Sequence, residues 1–254
     1  MQSSGDILEV DGIGHNFGGL SVLRSVTFAV ADKGIVGLIG PNGSGKTTLF
    51  NVISGFLTPQ KGVVMYRGAV LGSQSIQERS NRGMVRTFQT PKVFENLTVL
   101  ENIMVGACKN TRTTILQDMG HTPRSNREMR TILHDAEQTL EKFELTALRD
   151  TLASVLSAGQ RRILEIARAV VGKPSLLLLD EPSSGLNDTE IRNLRRWIVQ
   201  LREEGLSVLL VSHDMGLMTV SDRVHVLYFG EIITSGSMDE VKQNPRVREV
   251  YLGV

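Results

Sequence analysis

The chain of 254 residues lacks several features that would restrict where it works. It has a single cysteine, Cys108, which excludes an internal disulfide and favours a reducing compartment. Its longest apolar runs, such as 176–179 and 208–211, are far too short to span a bilayer. The opening MQSSGDILEVDG has neither the basic nor the apolar region of a secretory signal. We therefore expect a soluble, cytoplasmic protein that reaches a membrane only through a partner.

The chain also lacks a strong charge of either sign. Its net charge is +1, and lysine and arginine are scattered among acidic residues instead of forming a basic tail. No overall field would attract nucleic acid or an anionic membrane surface, so we expect no nucleic-acid partner. The hydrophobic share of 41% and the charged share of 22% are ordinary for a globular domain with a core of normal size.

Short apolar runs alternate with helical patterns along the chain. Strands are predicted at 22–30, 35–39, 63–66, 175–179 and 207–212, with a hairpin over 224–233 that turns at Gly230. Helices are predicted from the end of the glycine-rich segment to Gly55, at 163–171 and at 191–201. Strands that alternate with helices predict an α/β fold with a mostly parallel sheet and helices on both faces.

The region from about 89 to 150 has a different character. Apolar residues follow helical spacing on both sides of a polar stretch, 109–130. This pattern predicts a helical insertion with an exposed, mobile middle. We predict one domain over 1–254, with a helical subdomain at about 90–163 inserted into the α/β core.

A glycine-rich segment, 40–47, reads GPNGSGKT and fits the phosphate-loop pattern G-x-x-x-x-G-K-[ST] between a predicted strand and a predicted helix. Glycines let backbone N–H groups converge on phosphate oxygens, and the helix N-terminus adds its positive dipole end. Lys46 would reach the β- and γ-phosphates, and Thr47 would place its hydroxyl on Mg²⁺. A turn that binds nothing is the alternative, which the strand–loop–helix context disfavours. The predicted nucleotide-binding residues here are Gly40, Pro41, Asn42, Gly43, Ser44, Gly45, Lys46, Thr47 and Thr48.

Two acidic residues, Asp180 and Glu181, directly follow the apolar run 176–179. Ligands of open α/β sheets bind at the carboxyl ends of such strands. Asp180 would support Mg²⁺, and Glu181 would accept the proton of an attacking water. Taken alone, two acids after a strand could simply start a turn, but the phosphate loop favours the catalytic interpretation.

Four further segments resemble motifs of the ATP-binding cassette (ABC) ATPases. The segment 156–160, LSAGQ, is similar to the signature LSGGQ, with Ala158 in place of the first of the two glycines. Gln89 in RTFQ resembles the Q-loop glutamine, SGLN at 184–187 the D-loop, and His213 the switch histidine. The order and spacing match this family over essentially the whole chain. The resemblance implies a P-loop NTPase core with antiparallel strands near the N-terminus, plus a helical subdomain.

The resemblance also implies ATP and Mg²⁺ as cofactors and two further catalytic residues beside Glu181. Gln89 would contact Mg²⁺ or the attacking water. His213 would hydrogen-bond the γ-phosphate or that water. Phe17 would stack on the adenine ring, and a core phenylalanine is the alternative for this residue.

The signature segment implies a second ATPase subunit, either another copy of this chain or a sister subunit. Ser157, Gly159 and Gln160, with the helix N-terminus, would face the γ-phosphate held by that subunit across a two-fold axis. The alternative is that LSAGQ only caps a helix, with Ser157 as the N-cap.

Three segments are similar to the sequences of the ATP-binding subunits of branched-chain amino-acid uptake systems: FGGLSVL, VRTFQTPKVFENLTVLENI and NPRVREVYLG. This implies an importer subunit held at the cytoplasmic face by permease subunits, with 90–101 as the permease contact. A solute-binding protein would belong to the system without touching this chain.

The identity of the transported solute stays open. The segments FQTP and GLND also resemble those of urea importers, and Asp188 stands where a proline is common. A non-transport ABC ATPase with a soluble partner competes with the importer interpretation, and a nucleotide kinase ranks far behind both.

Overall fold

The computed structural model describes residues 5–108 and 123–252. These fall into two compact units. The sheet unit comprises Met1–Gln89, Ser175–Ser184 and Asp188–Val254, and the helical unit comprises Thr90–Pro174 and Gly185–Asn187.

All of the strands named here belong to the sheet unit. They are β1 (Asp6–Phe17), β2 (Leu20–Ala31), β3 (Ile35–Ile39), β4 (Lys61–Tyr66), β5 (Ala69–Val70), β6 (Met84–Arg86), β7 (Leu176–Asp180), β8 (Ser207–Val211), β9 (Arg223–Tyr228) and β10 (Glu231–Gly236). One sheet has the order β10-β9-β3-β8-β7-β6, in which β10 is antiparallel to β9 and the other neighbours are parallel. The other is antiparallel, with the order β2-β1-β4-β5. The predicted fold class, a mostly parallel core with antiparallel strands near the N-terminus, is confirmed.

Helices occur in both units. They are α1 (Lys46–Ser54), α2 (Ile76–Asn81), α3 (Val99–Ala107), α4 (Pro123–Lys142), α5 (Ala158–Val170), α6 (Asp188–Glu203), α7 (Met215–Met218), α8 (Met238–Gln243) and α9 (Pro245–Leu252). The helical unit contains α3, α4 and α5, with 3₁₀ turns at Thr146–Leu148 and Ala153–Val155. Over the described ranges, no helix has the length and apolar character that a bilayer span requires.

Three central strands bring the predicted site residues to one edge. Every residue of β3, β7 and β8 is buried, as expected for parallel strands covered on both faces. Because these strands are parallel, their carboxyl ends lie at the same edge of the sheet. The phosphate loop follows β3, Asp180 ends β7, and His213 comes two residues after β8. This edge is where open α/β sheets bind their ligands.

The predicted hairpin over 224–233 is confirmed. It consists of β9 and β10, and Tyr228 pairs with Glu231 across a two-residue turn. Phe229 and Gly230 have φ values of 46° and 81°, the left-handed conformation that this tight turn needs at both positions.

The secondary-structure predictions missed one strand and left the extent of one helix open. We did not predict β1, because register shifts around Gly12, whose φ is 61°, interrupt its alternating pattern. The stretch 109–130 was predicted as an exposed, mobile middle. The helix α4 begins at Pro123, so the last part of this stretch is helical, and Met129 within it is 51% exposed; 109–122 lie outside the described residues.

A buried arginine fixes the far end of the helix that follows the phosphate loop. Arg79, only 2% exposed, donates hydrogen bonds to the carbonyl oxygens of Val52 (2.8 Å) and Ile53 (2.6 Å) in α1. Gly55 ends the same helix with φ of 88°, as predicted. The guanidinium thus satisfies carbonyl groups that the end of a helix leaves unpaired.

A buried histidine in β9 makes stability depend on pH. His225 is 6% exposed, its Nδ1 lies 2.6 Å from Ser235 Oγ, and its ring centroid lies 5.2 Å from that of Phe28. Burial, and then the positive charge of Arg223, lowers the pKa of His225 from 6.5 to about 4. The unfolded chain therefore takes up this proton at a higher pH than the folded chain does. The neutral histidine therefore stabilises the fold at a pH above its unfolded pKa of 6.5, and this contribution is lost as the pH falls toward its folded pKa of about 4.

We expect the loss to reach roughly 3 kcal/mol between about pH 6.5 and pH 4. Urea unfolding of the wild type and of His225→Asn across this range measures it, because asparagine cannot titrate there. The free-energy difference between the two proteins should change with pH. A constant difference would contradict the assignment.

Candidate functional site

A pocket of about 350 Å³ brings most of the predicted residues together within the sheet unit. Its wall contains nine of them: Asn42, Gly43, Gly45, Lys46, Thr47, Thr48, Gln89, Asp180 and Glu181. Three apolar residues, Leu20, Val22 and Val211, complete the wall. The pocket therefore combines a phosphate-loop segment with two carboxylates and an amide.

Close packing at Gly40 and Gly45, and positive φ at Gly43 and Gly45, favour glycine at these loop positions. A Cβ on Gly40 would lie 2.2 Å from the carbonyl oxygen of Leu227, and Gly43 and Gly45 have φ values of 80° and 108°. Gly45 is the N-cap of α1 and makes no side-chain capping bond, so the N–H groups of the first turn are left to a ligand. Ser44 Oγ is buried without a hydrogen-bond partner among the described residues. These features fit a cradle for phosphate oxygens.

The ammonium group of Lys46 folds back over this loop. Its Nζ donates hydrogen bonds to the carbonyl oxygens of Gly40 (2.7 Å) and Pro41 (2.9 Å). Burial lowers the pKa of Lys46, whereas the negative charges of Glu181 and Asp180 raise it. The net effect is a lowered pKa for Lys46, because burial outweighs the attraction of the two carboxylates, and phosphate oxygens could replace the two carbonyl groups as acceptors from Nζ.

Asp180 is paired with an arginine that the sequence analysis missed. Asp180 Oδ2 lies 2.7 Å from an Nη of Arg86, and both side chains are nearly buried. The guanidinium also donates to Asn51 Oδ1 (2.7 Å) and Ser54 Oγ (2.9 Å) on α1. The sequence feature that could have identified Arg86 is its position in VRTFQ, on the strand that leads directly to Gln89.

Glu181 and His213 form a second pair. The Glu181 backbone is left-handed, with φ of 49°, and its N–H donates to the carbonyl oxygen of Val211 at 2.8 Å. Its Oε2 accepts from the backbone N–H of His213 (3.3 Å) and lies 2.8 Å from His213 Nδ1. An ionised carboxylate only accepts, so Nδ1 carries the proton. A neutral His213 therefore presents Nε2 as an acceptor, and this exposed ring fixes the direction of the carboxylate.

A tyrosine from the C-terminal helix, also unpredicted, lies near the phosphate loop. Burial raises the pKa of Tyr251 to about 12, the backbone N–H of Gly40 acts in the opposite direction, and the charge of Glu181 adds to the increase. Its buried hydroxyl has no hydrogen-bond partner among the described residues, although Gly40 is near enough to affect its pKa. Only its occurrence in NPRVREVYLG marked it in the sequence.

Phe17 does not line the pocket. It ends β1, is 51% exposed, and its ring centroid lies 4.8 Å from that of His15 in an edge contact. The alternative of a core phenylalanine is therefore wrong.

The signature residues belong to the helical unit. Ser157 caps α5: its Oγ accepts from the N–H of Gln160 at 3.1 Å, and its own N–H donates to Gln160 Oε1 at 2.9 Å. Gly159 is buried in the first turn. The alternative of an N-cap thus describes the local geometry, and the same reciprocal bonds hold the exposed Ser157 and the helix N-terminus in a fixed arrangement.

Comparisons with known proteins agree with this geometry. The ABC transporter family matches residues 23–184, and a second family, described as branched-chain amino acid ATP-binding cassette transporter, matches residues 231–254. BraF of Pseudomonas aeruginosa, a high-affinity branched-chain amino acid transport ATP-binding protein, is 38% identical over 97% of this chain and 98% of its own length. LivG of Escherichia coli K12, described in the same words, has the same identity and coverage.

A solved structure shares the fold. It is the ADP conformation of an ATP-binding cassette of an ABC transporter, 31% identical, with a TM-score of 0.84. The match covers 98% of this chain and 99% of that one.

Fold and site together define the class of protein. A phosphate loop after the central parallel strand, facing a carboxylate pair at the same sheet edge, is the arrangement of an ATP-binding P-loop ATPase. The chain belongs to the ABC transporter family. The predicted family, fold and ATP hydrolase activity are confirmed.

Proposed function

We propose that this chain is the ATP-hydrolysing subunit of an importer for branched-chain amino acids, held at the cytoplasmic face of the membrane by permease subunits. The observation that supports this most is the 38% identity to BraF over nearly the full length of both chains. The family match over residues 231–254 supports the same solute class independently of the ATPase motifs. A solute-binding protein belongs to the proposed system but does not touch this chain.

In the proposed mechanism, the loop amides and Lys46 bind the β- and γ-phosphates. Mg²⁺, which neutralises phosphate charge when bound, would be held by Thr47, Asp180 and Gln89, whose oxygen donors suit it and which all line the pocket. Glu181 takes a proton from the attacking water as the oxygen bonds to the γ-phosphorus. The bond from that phosphorus to the bridging oxygen of ADP breaks, and ADP and phosphate leave.

His213 has two roles in this scheme. It holds the Glu181 carboxylate in place through Nδ1, at 2.8 Å. Its Nε2 is left for the attacking water when the ring is neutral, or for the γ-phosphate when the ring is protonated.

The active unit is a dimer with a second ATPase subunit, either the same chain or a sister chain. Ser157, Gly159 and Gln160 of one subunit face the γ-phosphate bound by the other, and the N-terminus of α5 supplies its positive dipole end. Phe17 stacks on adenine, a role that its 51% exposure supports. ATP favours the closed dimer because it binds that state better, and hydrolysis releases it.

The segment 90–101 is the proposed permease contact, because it leads from Gln89 into α3. Within the helical unit it is well anchored: the N–H of Lys92 donates to Glu165 Oε1 at 3.1 Å, and Arg168 lies 5.0 Å from the ring centroid of Phe94. Phe94 is nevertheless 48% exposed, as an apolar contact residue should be.

Co-purification tests this proposal. A tagged full-length chain, isolated from detergent-solubilised cells, should carry a polytopic membrane protein, and Phe94→Ala should recover at least about tenfold less of it, as for an interface hot spot. Met129→Ala, another exposed apolar residue of the helical unit at 51%, is the matched control.

Recovery of only a soluble complex would favour the alternative of a non-transport ATPase. The solute is tested separately, by calorimetric titration of the associated binding protein with leucine and with urea. Binding of urea alone would replace the amino-acid proposal with the urea-importer alternative.

A further inference from the structure

The buried pair of Arg86 and Asp180 carries an inference about how the site receives a metal ion. We propose that Arg86 is a positioning residue that holds the Asp180 carboxylate and competes with Mg²⁺ for it, so that cation binding is linked to the segment that carries Gln89. This inference rests on the proposed role of Asp180 toward Mg²⁺.

The contact is direct and shielded from water. An Nη of Arg86 lies 2.7 Å from Asp180 Oδ2, and the two side chains are 8% and 7% exposed. The other Nη donates to Asn51 and Ser54, both on α1. One guanidinium therefore joins β6, β7 and the helix that starts in the phosphate loop.

Three aromatic rings surround the guanidinium. Its Cζ lies 5.6 Å from the ring centroid of Phe50, 5.4 Å from that of Phe56 and 5.7 Å from that of Phe88. Rings at these distances attract a cation through their faces, and a planar guanidinium suits them better than an ammonium does. The rings and the two α1 acceptors would keep Arg86 in place when its hold on Asp180 weakens.

The charges around the pocket determine how strongly Asp180 can attract a metal ion. Lys46 and Arg86 are positive, and Asp180 and Glu181 are negative, so these four side chains sum to zero around the pocket. A carboxylate bound to a guanidinium attracts a second cation less strongly than an isolated one, because the two positive charges repel each other. Asp180 should therefore bind Mg²⁺ less strongly while this ion pair is intact, and each cation should weaken the hold of the other.

The segment after Arg86 connects this competition to Gln89. Thr87, the next residue, donates from its N–H to the carbonyl oxygen of Leu178 at 3.0 Å, and its Oγ1 accepts from the N–H of Asp180 at 3.4 Å. Gln89 follows two residues later and lines the pocket. These bonds join the backbone at Asp180 to the segment that carries Gln89, so we expect a change at Asp180 to reach that segment.

The test uses the factor by which Mg²⁺ strengthens ATP binding, which is the affinity for a fluorescent ATP analogue in Mg²⁺ divided by the affinity in EDTA. Both affinities are measured on the full chain. For Arg86→Gln we expect this factor to rise about fivefold or more, the lower range of typical coupling between sites. Arg86→Lys keeps the charge, so its factor should stay close to that of the wild type. Equal changes in both conditions would mean that Arg86 is only structural, and would overturn the proposal.

A second comparison covers the case in which Arg86→Gln unfolds because Asp180 is left buried and unpaired. In an Asp180→Asn background, where the double variant lacks both members of the ion pair, Arg86→Gln should change the factor much less than it does in the wild type; an equally large change there would overturn the proposal. If Mg²⁺ does not strengthen ATP binding to the wild type, the proposed role of Asp180 fails. If the Mg²⁺ effect needs Asp180 but Arg86→Gln leaves it unaltered, only the inference about Arg86 fails.

Discussion

Glu181→Gln lowers ATP turnover by about 10²- to 10⁴-fold, the usual contribution of a general base, while nucleotide binding survives. Glutamine has nearly the shape of glutamate, and its amide oxygen can still accept the 2.8 Å hydrogen bond from His213 Nδ1. What it cannot do is take the proton of the attacking water. Because hydrolysis is what opens the proposed dimer, we also expect the variant to accumulate as a dimer with Mg·ATP.

Steady-state phosphate release from the purified transporter complex measures turnover, and size-exclusion chromatography with Mg·ATP measures the dimer. Glu203→Gln, the same substitution at an exposed position of α6, controls for the lost charge. Turnover equal to that of the wild type would remove Glu181 from the catalytic role. Loss of ATP binding in parallel with turnover would instead assign it to binding.

The parts of this fold that could be predicted from the sequence are those that local pattern determines. The fully apolar runs of β3, β7 and β8 leave few alternatives to buried parallel strands, and a phosphate loop encodes its own turn and helix start. The hairpin turn at Gly230 is similarly local, because the chain needs a residue that tolerates positive φ there.

Contacts between distant residues could not be predicted in this way. Arg86 and Asp180 are separated by 94 positions, and only the parallel pairing of β6 with β7 brings them together. Tyr251 reaches the vicinity of Gly40 through the C-terminal helix, with no local pattern in the sequence that indicates it. The antiparallel strand β1 was missed for a related reason, since its bulges are tolerated through pairing with β2 and β4.

The pairing of His213 with Glu181 shows what structure adds to a motif. Sequence alone assigned each residue a separate role toward the γ-phosphate or water. The geometry makes them one unit, because the histidine ring and backbone both bind Glu181 Oε2. The left-handed backbone of Glu181, a conformation that costs of order 1–3 kcal/mol for a residue other than glycine, is consistent with a carboxylate directed by function.

Lys46→Ala acts at an earlier step than Glu181→Gln, because it removes the cation that would bind the triphosphate. A hydrogen bond to a charged group contributes about 1.5–3 kcal/mol, so loss of contacts to two phosphates should weaken ATP binding by roughly 100-fold or more. Equilibrium titration with a fluorescent ATP analogue measures this.

The fold should survive the substitution. Burial disfavours the charged form of Lys46, and in the absence of ligand its acceptors are the loop carbonyls of Gly40 and Pro41, which water can satisfy. Thermal unfolding without nucleotide should therefore resemble that of Lys242→Ala, a control at an exposed position of α8. A folded Lys46→Ala protein with wild-type ATP affinity would mean that the triphosphate binds outside this loop, and the assignments of Thr47, Asp180 and Glu181 would fail with it.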